Sequence, residues 1–128
     1  SVLGINEALD RAAAYAEHGA DITFVEAPES VDEMRRIAGE LTCPQIVNVV
    51  IGGKTPALPQ QVLAEMGFGL VLYANAALQG AVRGMFNALA QLKATGELQE
   101  DPQLVATFAE RQALVQKPFF DALEAKYK

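Results

Sequence analysis

Three short apolar runs in this sequence each carry a polar side chain near their C-terminal end. Glu26 stands in ITFVEAP, Asn48 in QIVNVV, and Tyr73 and Asn75 close LVLYAN. The Asn48 run continues into Gly52-Gly53-Lys54-Thr55-Pro56. Two glycines there let the backbone take a positive φ or approach a ligand closely. Thr55 is held extended by the proline after it. Lys54 could meet an anion, although a single loop lysine is more often only solvated. Asn48 could equally bond a neighbouring backbone group. The chemistry on offer is ligand binding at a rim where strands end. A phosphate on the Gly-Gly-Lys segment is one version of it. The acidic Glu26 argues against phosphate unless a metal lies between.

These groups need elements to raise them together. INEALDRAAAYAEHGAD has Leu9, Ala12, Ala13 and Ala16 at helical spacing, with Gly19 placed for a left-handed C-cap. His18 lies at that helix end and reads as a capping or surface residue. Ile22–Ala27 reads as a strand stopped by Pro28. SVDEMRRIAGEL reads as a helix opened by a capping box, in which Ser30 takes the N3 amide and Glu33 returns to the N-cap amide. QIVNVV is the second strand. PQQVLAEMG is a short helix with Pro59 at its first position and Gly67 at its end. LVLYAN is the third strand. A long helix ends at Gly96, with Leu78, Val82, Phe86 and Leu89 on one face. Its Gly80 and Gly84 suggest tight packing on a neighbour. After Asp101-Pro102 a last helix carries Leu104, Phe108, Arg111 and Val115, and Pro118 breaks or restarts it.

The chain has 128 residues, 51% of them apolar, enough for a packed core in one domain. Its net charge is −6. Residues 1–50 hold nine acids against three arginines, and the remainder is balanced at seven each. An acidic chain without basic clusters is a poor partner for nucleic acid. No run of 18 apolar residues and no basic-then-apolar N-terminus occurs, so a soluble, cytoplasmic protein without a membrane span is expected. The single cysteine, Cys43, excludes an internal disulfide.

Strands recur every ~23–25 residues and alternate with helices, which is βα repetition with parallel strands covered on both faces. Three such strands make a poor independent sheet. The expected fold is α/β: the C-terminal part of a (β/α)8 TIM-type barrel, about strands 6–8 with their helices, plus a helical tail. The division expected is 1–100 for the half-barrel and 101–128 for the tail. The alternative is a small three-stranded α/β domain. In such barrels the C-terminal rim carries the chemistry.

The series F-V-E-A-P, N-V-V-x-G-G-K-T-P and M-G-F-x-L-V-x-Y resembles the isocitrate lyase / phosphoenolpyruvate mutase superfamily over nearly all of the chain. The resemblance implies a Mg2+-dependent barrel, with Mn2+ an option. It would act on a small α-keto or α-hydroxy carboxylate through an enolate intermediate, as a lyase or decarboxylase of the 2-methylisocitrate lyase or oxaloacetate decarboxylase type. A hard cation suits the negative charge that develops on an enolate. By the same resemblance, Glu26 supports the metal through water, Asn48 hydrogen-bonds a substrate carboxylate, and Gly52, Gly53 and Thr55 shape that wall. The family's metal-binding aspartates, loop cysteine and arginine lie on earlier strands. The chain alone is therefore expected to be inactive, and Cys43 is expected to be structural. Alternatives are a phosphonomutase acting on a P–C bond and a non-catalytic half-barrel module. A homo-oligomer with the C-terminal helices at its interface is also implied.

Overall fold

The computed structural model describes residues 3–128. The chain divides into two compact bodies, Ser1–Ala77 and Leu78–Lys128. The first runs α1 (Gly4–Glu17), β1 (Thr23–Phe24), α2 (Val31–Glu40), β2 (Gln45–Asn48), α3 (Gln60–Met66) and β3 (Phe68–Leu72). Then follow α4 (Ala76–Thr95), α5 (Phe108–Leu114) and α6 (Lys117–Tyr127).

The three strands form one parallel sheet in the order β1-β2-β3. Parallel strands cannot be joined by a hairpin, and here α2 and α3 make the crossings. Strand parity divides the side chains. Thr23, Val25, Gln45, Val47 and Val49 are buried on one face. There they meet Leu9 and Ala12 of α1, Met34 and Ile37 of α2, and Leu63 of α3. Met34 and Leu63 retain no exposed surface, and burying each such side chain contributes about 1.5–3 kcal/mol.

The other face differs from expectation. The strands read as covered on both sides, yet α1, α2 and α3 cover only one. Phe24, Leu70 and Leu72 are each more than 40% exposed on the second face. Their apolar character is explained by the face a barrel turns toward its interior, where side chains from many strands pack together.

The local chemistry of the helices accounts for their ends. Gly19 takes φ 100° just past α1, and His18 Nδ1 donates to the Ala14 carbonyl at 2.8 Å. Gly67 caps α3 at φ 106°, and Gly96 follows α4 at φ 76°. Ser30 Oγ accepts from the Glu33 amide at 3.1 Å, but the Glu33 carboxylate takes the Glu29 amide rather than that of the N-cap. Pro59 is the N-cap of α3, one position earlier than expected.

The tail is also corrected. The helix expected from Asp101-Pro102 starts only at Phe108. Thr107 and Glu110 form a full capping box there, while Asp101 turns the chain by accepting from the Leu104 and Val105 amides. Gln116 at φ 51° breaks the helix, and Pro118 sits in the first turn of α6, where its missing N–H costs nothing. Side chains of α4 are all at least partly exposed, and a Cβ at Gly80 or Gly84 would meet nothing within 4 Å. The expected close packing at those glycines is not seen among the described residues.

Candidate functional site at the C-terminal rim of the sheet

β1 pairs with β2 only at Thr23↔Gln45 and Phe24↔Ile46, so Glu26 lies two residues beyond the last pair. Asn48 in turn pairs with Leu72. Parity puts Asn48 and Leu72 on the open face, across strands spaced about 4.8 Å apart, whereas Glu26 lines clefts beside Gly4 and Ala8 of α1. β1 stops at Phe24, earlier than the expected Ala27, and β3 stops at Leu72, before Tyr73 and Asn75. Both of these last residues are exposed in the turn leading to α4.

Asn48 is half-buried, and its Oδ1 is buried with no hydrogen-bond partner. A buried amide oxygen left unpaired costs about 1–3 kcal/mol, so proteins seldom leave one. The amide therefore holds unused capacity at the rim. Rotation about χ2 lets it present either its oxygen or its two N–H donors.

The loop after β2 is built around its glycines. The Gly53 amide donates to the Val50 carbonyl at 2.8 Å, closing a tight turn with Gly52 at φ 79° in the third position. A type II turn needs a positive φ there. Gly53 is glycine for a different reason: an added Cβ would lie 3.0 Å from both the Val50 Cβ and the Val50 carbonyl oxygen. Thr55 then turns in and is buried.

Glu26 is exposed. Ala27 follows at φ 51°, a left-handed conformation rare for alanine and costing roughly 1–2 kcal/mol. Pro28 is buried beyond it. A cleft of about 380 Å³ opens between α1 and β1, with Tyr15, Phe24 and Glu26 among its walls. Lys54 does not stand free for an anion: its Nζ reaches Glu29 Oε1 at 3.0 Å. That hydrogen bond, and then the lysine charge, hold the Glu29 carboxyl below its ordinary value.

No three His, Cys, Asp or Glu side chains gather to hold a metal ion among the described residues. A hard cation takes six or more oxygen ligands, and Glu26 alone cannot provide them. These residues do not make a metal centre.

Sequence reasoning missed one polar cluster altogether. At the sheet's N-terminal end Thr23 Oγ1 donates to Gln45 Oε1 at 2.8 Å, and Gln45 Nε2 donates to the Cys43 carbonyl at 2.8 Å. Cys43 Sγ lies 3.4 Å from both side chains. The available signal was parity, since Gln45 shares a face with Val47 and Val49. This end lies opposite the rim, and Cys43 is a partner in packing there.

A parallel βα sheet with polar groups at its C-terminal ends defines a segment of a barrel of the (β/α)8 class. The chain belongs to the phosphoenolpyruvate phosphomutase family, whose model matches residues 2–93. It is 36% identical over 125 residues to the petal death protein of Dianthus caryophyllus, covering 98% of this chain and 39% of that protein. It is 40% identical over 90 residues to 2,3-dimethylmalate lyase of Eubacterium barkeri, covering 70% and 31%. Phosphonopyruvate hydrolase, solved with oxalate and Mg++, superposes with a TM-score of 0.79 at 26% identity, covering 98% of this chain and 44% of that one. The chain thus spans less than half the length of the relatives it matches.

Proposed function

We propose that the native protein is a lyase or decarboxylase of small α-keto or α-hydroxy carboxylates, and that this chain forms one wall of its pocket. Asn48 donates its N–H groups to a substrate carboxylate. Gly52 and Gly53 bring the backbone close, and Thr55 closes that side. Glu26 holds negative charge at the mouth, beside a Mg2+ ion whose ligands lie outside the described residues. Such an ion supplies charge stabilisation to an enolate when bound. Phe24, Ile46, Leu70 and Leu72 line the interior and lower the local dielectric, which strengthens every hydrogen bond made there.

The observation that carries this reading is the Asn48 side-chain amide at the C-terminal end of β2, whose buried oxygen has no partner among the described residues. The names of the relatives support the substrate class, and they keep a second reading alive: P–C bond chemistry, as in phosphonopyruvate hydrolase. No described helix is long and apolar enough to cross a membrane. The homo-oligomer through the C-terminal helices stays part of the proposal, supported by exposed Phe119, Phe120, Leu123 and Tyr127 on α6.

The test is turnover by the native gene product on oxaloacetate, 2-methylisocitrate, 2,3-dimethylmalate and phosphonopyruvate. Asn48→Ala is expected to lower kcat/KM on the preferred acid by about tenfold or more, as the loss of a charge-assisted donor does. Unchanged kinetics would remove Asn48 from the site. Preference for phosphonopyruvate would select the second reading.

A further inference from the structure

We propose that the Lys54–Glu29 ion pair is a strut between the two rim loops, and that both residues position Glu26 and the Asn48 wall without touching substrate. This rests on reading Glu26 and Asn48 as site residues. Among the described residues six ion pairs occur, and five of them join side chains three or four positions apart in the C-terminal part of a helix or along it. Only Lys54–Glu29 joins separate segments, at 3.0 Å between the loop after β2 and the loop after β1. Its partners are fixed on other sides. The Glu29 amide donates to Glu33 Oε2 at 2.6 Å, which anchors the loop to the start of α2. Lys54 stands between Gly53, packed on Val50, and buried Thr55.

What the strut constrains is visible in the backbone. Ala27 keeps φ 51° directly between Glu26 and buried Pro28. A non-glycine residue holds that conformation only where its surroundings over-determine it. Two residues on, the tie to Lys54 supplies one such restraint. The depressed Glu29 carboxyl agrees with a formed pair. Both side chains are more than half exposed, so the pair adds little to global stability. Its effect belongs to loop placement.

The experiment uses the native gene product. Lys54→Met and Glu29→Gln are each expected to lower kcat/KM by about three- to fivefold, the ceiling for an exposed pair. Lys54→Glu is expected to cost more, and the exchanged pair Lys54→Glu with Glu29→Lys to recover wild-type turnover within about twofold. The gap between wild type and Lys54→Met should close at about 1 M salt, where the screening length is about 3 Å. A loss with Lys54→Met that Glu29→Gln does not share, and that the exchange does not restore, would overturn the strut and make Lys54 an anion contact. No loss in either variant, while Asn48→Ala still lowers turnover, would overturn the strut alone. Asn48→Ala without effect would instead break the underlying reading. Hydrogen exchange then judges the strut: faster exchange at both 26–29 and 51–55 in Lys54→Met, restored by the exchanged pair, upholds it, and unaltered exchange overturns it.

Discussion

The two ends of this sheet treat polar side chains in opposite ways. At the N-terminal end Thr23, Gln45 and Cys43 bond one another, and Gln45 is only 1% exposed. At the C-terminal end Asn48 keeps a buried oxygen without a partner, Glu26 stands exposed, and Ala27 is held in a strained conformation. Both ends put an amide on β2, three residues apart. One amide is consumed by the fold and the other is left available. A buried polar group that is fully bonded specifies packing. One left unbonded costs stability, and such a cost persists where function needs the group.

The largest expected effect tests the satisfied end. Gln45→Ala opens a cavity and strips Thr23 of its acceptor, so it should destabilise the protein by about 2–4 kcal/mol. Denaturant midpoints measure this, and turnover per folded molecule should hold. Asn48→Ala should do the reverse, sparing the midpoint while turnover falls. Equal stability losses at the two positions would erase the contrast between the ends.

A smaller effect lies at the rim itself. Gly53→Ala drives a Cβ to 3.0 Å from the Val50 carbonyl oxygen. Backbone must shift there, at about 1–3 kcal/mol. The shift also moves Thr55 and Lys54, so kcat/KM should fall more than stability alone explains. Wild-type stability and kinetics in Gly53→Ala would mean that the tight turn does not shape the wall.

Much of this architecture was legible in the chain. Helical spacing located α1, α2 and α4, Pro59 and Gly67 bracketed α3, and the glycines at 19 and 96 marked the ends of α1 and α4. The βα alternation led to a parallel sheet and to barrel strands. The strand ends were read too long, because apolar content continues past the last ladder bond: Val25 remains buried although β1 stops at Phe24. The open face was missed for a related reason. Barrel-interior residues are as apolar as helix-facing ones, and composition cannot tell them apart. In the tail, Asp101-Pro102 carried a start signal, but Thr107 with Glu110 satisfies two amides at once and sets the helix there. At the candidate site, Glu26 and Asn48 stand out in the sequence as polar interruptions of apolar runs. The Glu29–Lys54 tie was not, since its partners are 25 positions apart and carry no local pattern.

The most direct test of the contrast follows the two β2 amides as oxalate is titrated into the native protein. Side-chain 15N–1H resonances of Asn48 and Gln45 report them separately. The account predicts a saturable shift of the Asn48 resonance and an unmoved Gln45. A Gln45 resonance that moves while Asn48 stays still, or an enzyme that turns over its acid while oxalate binds without touching Asn48, would contradict it.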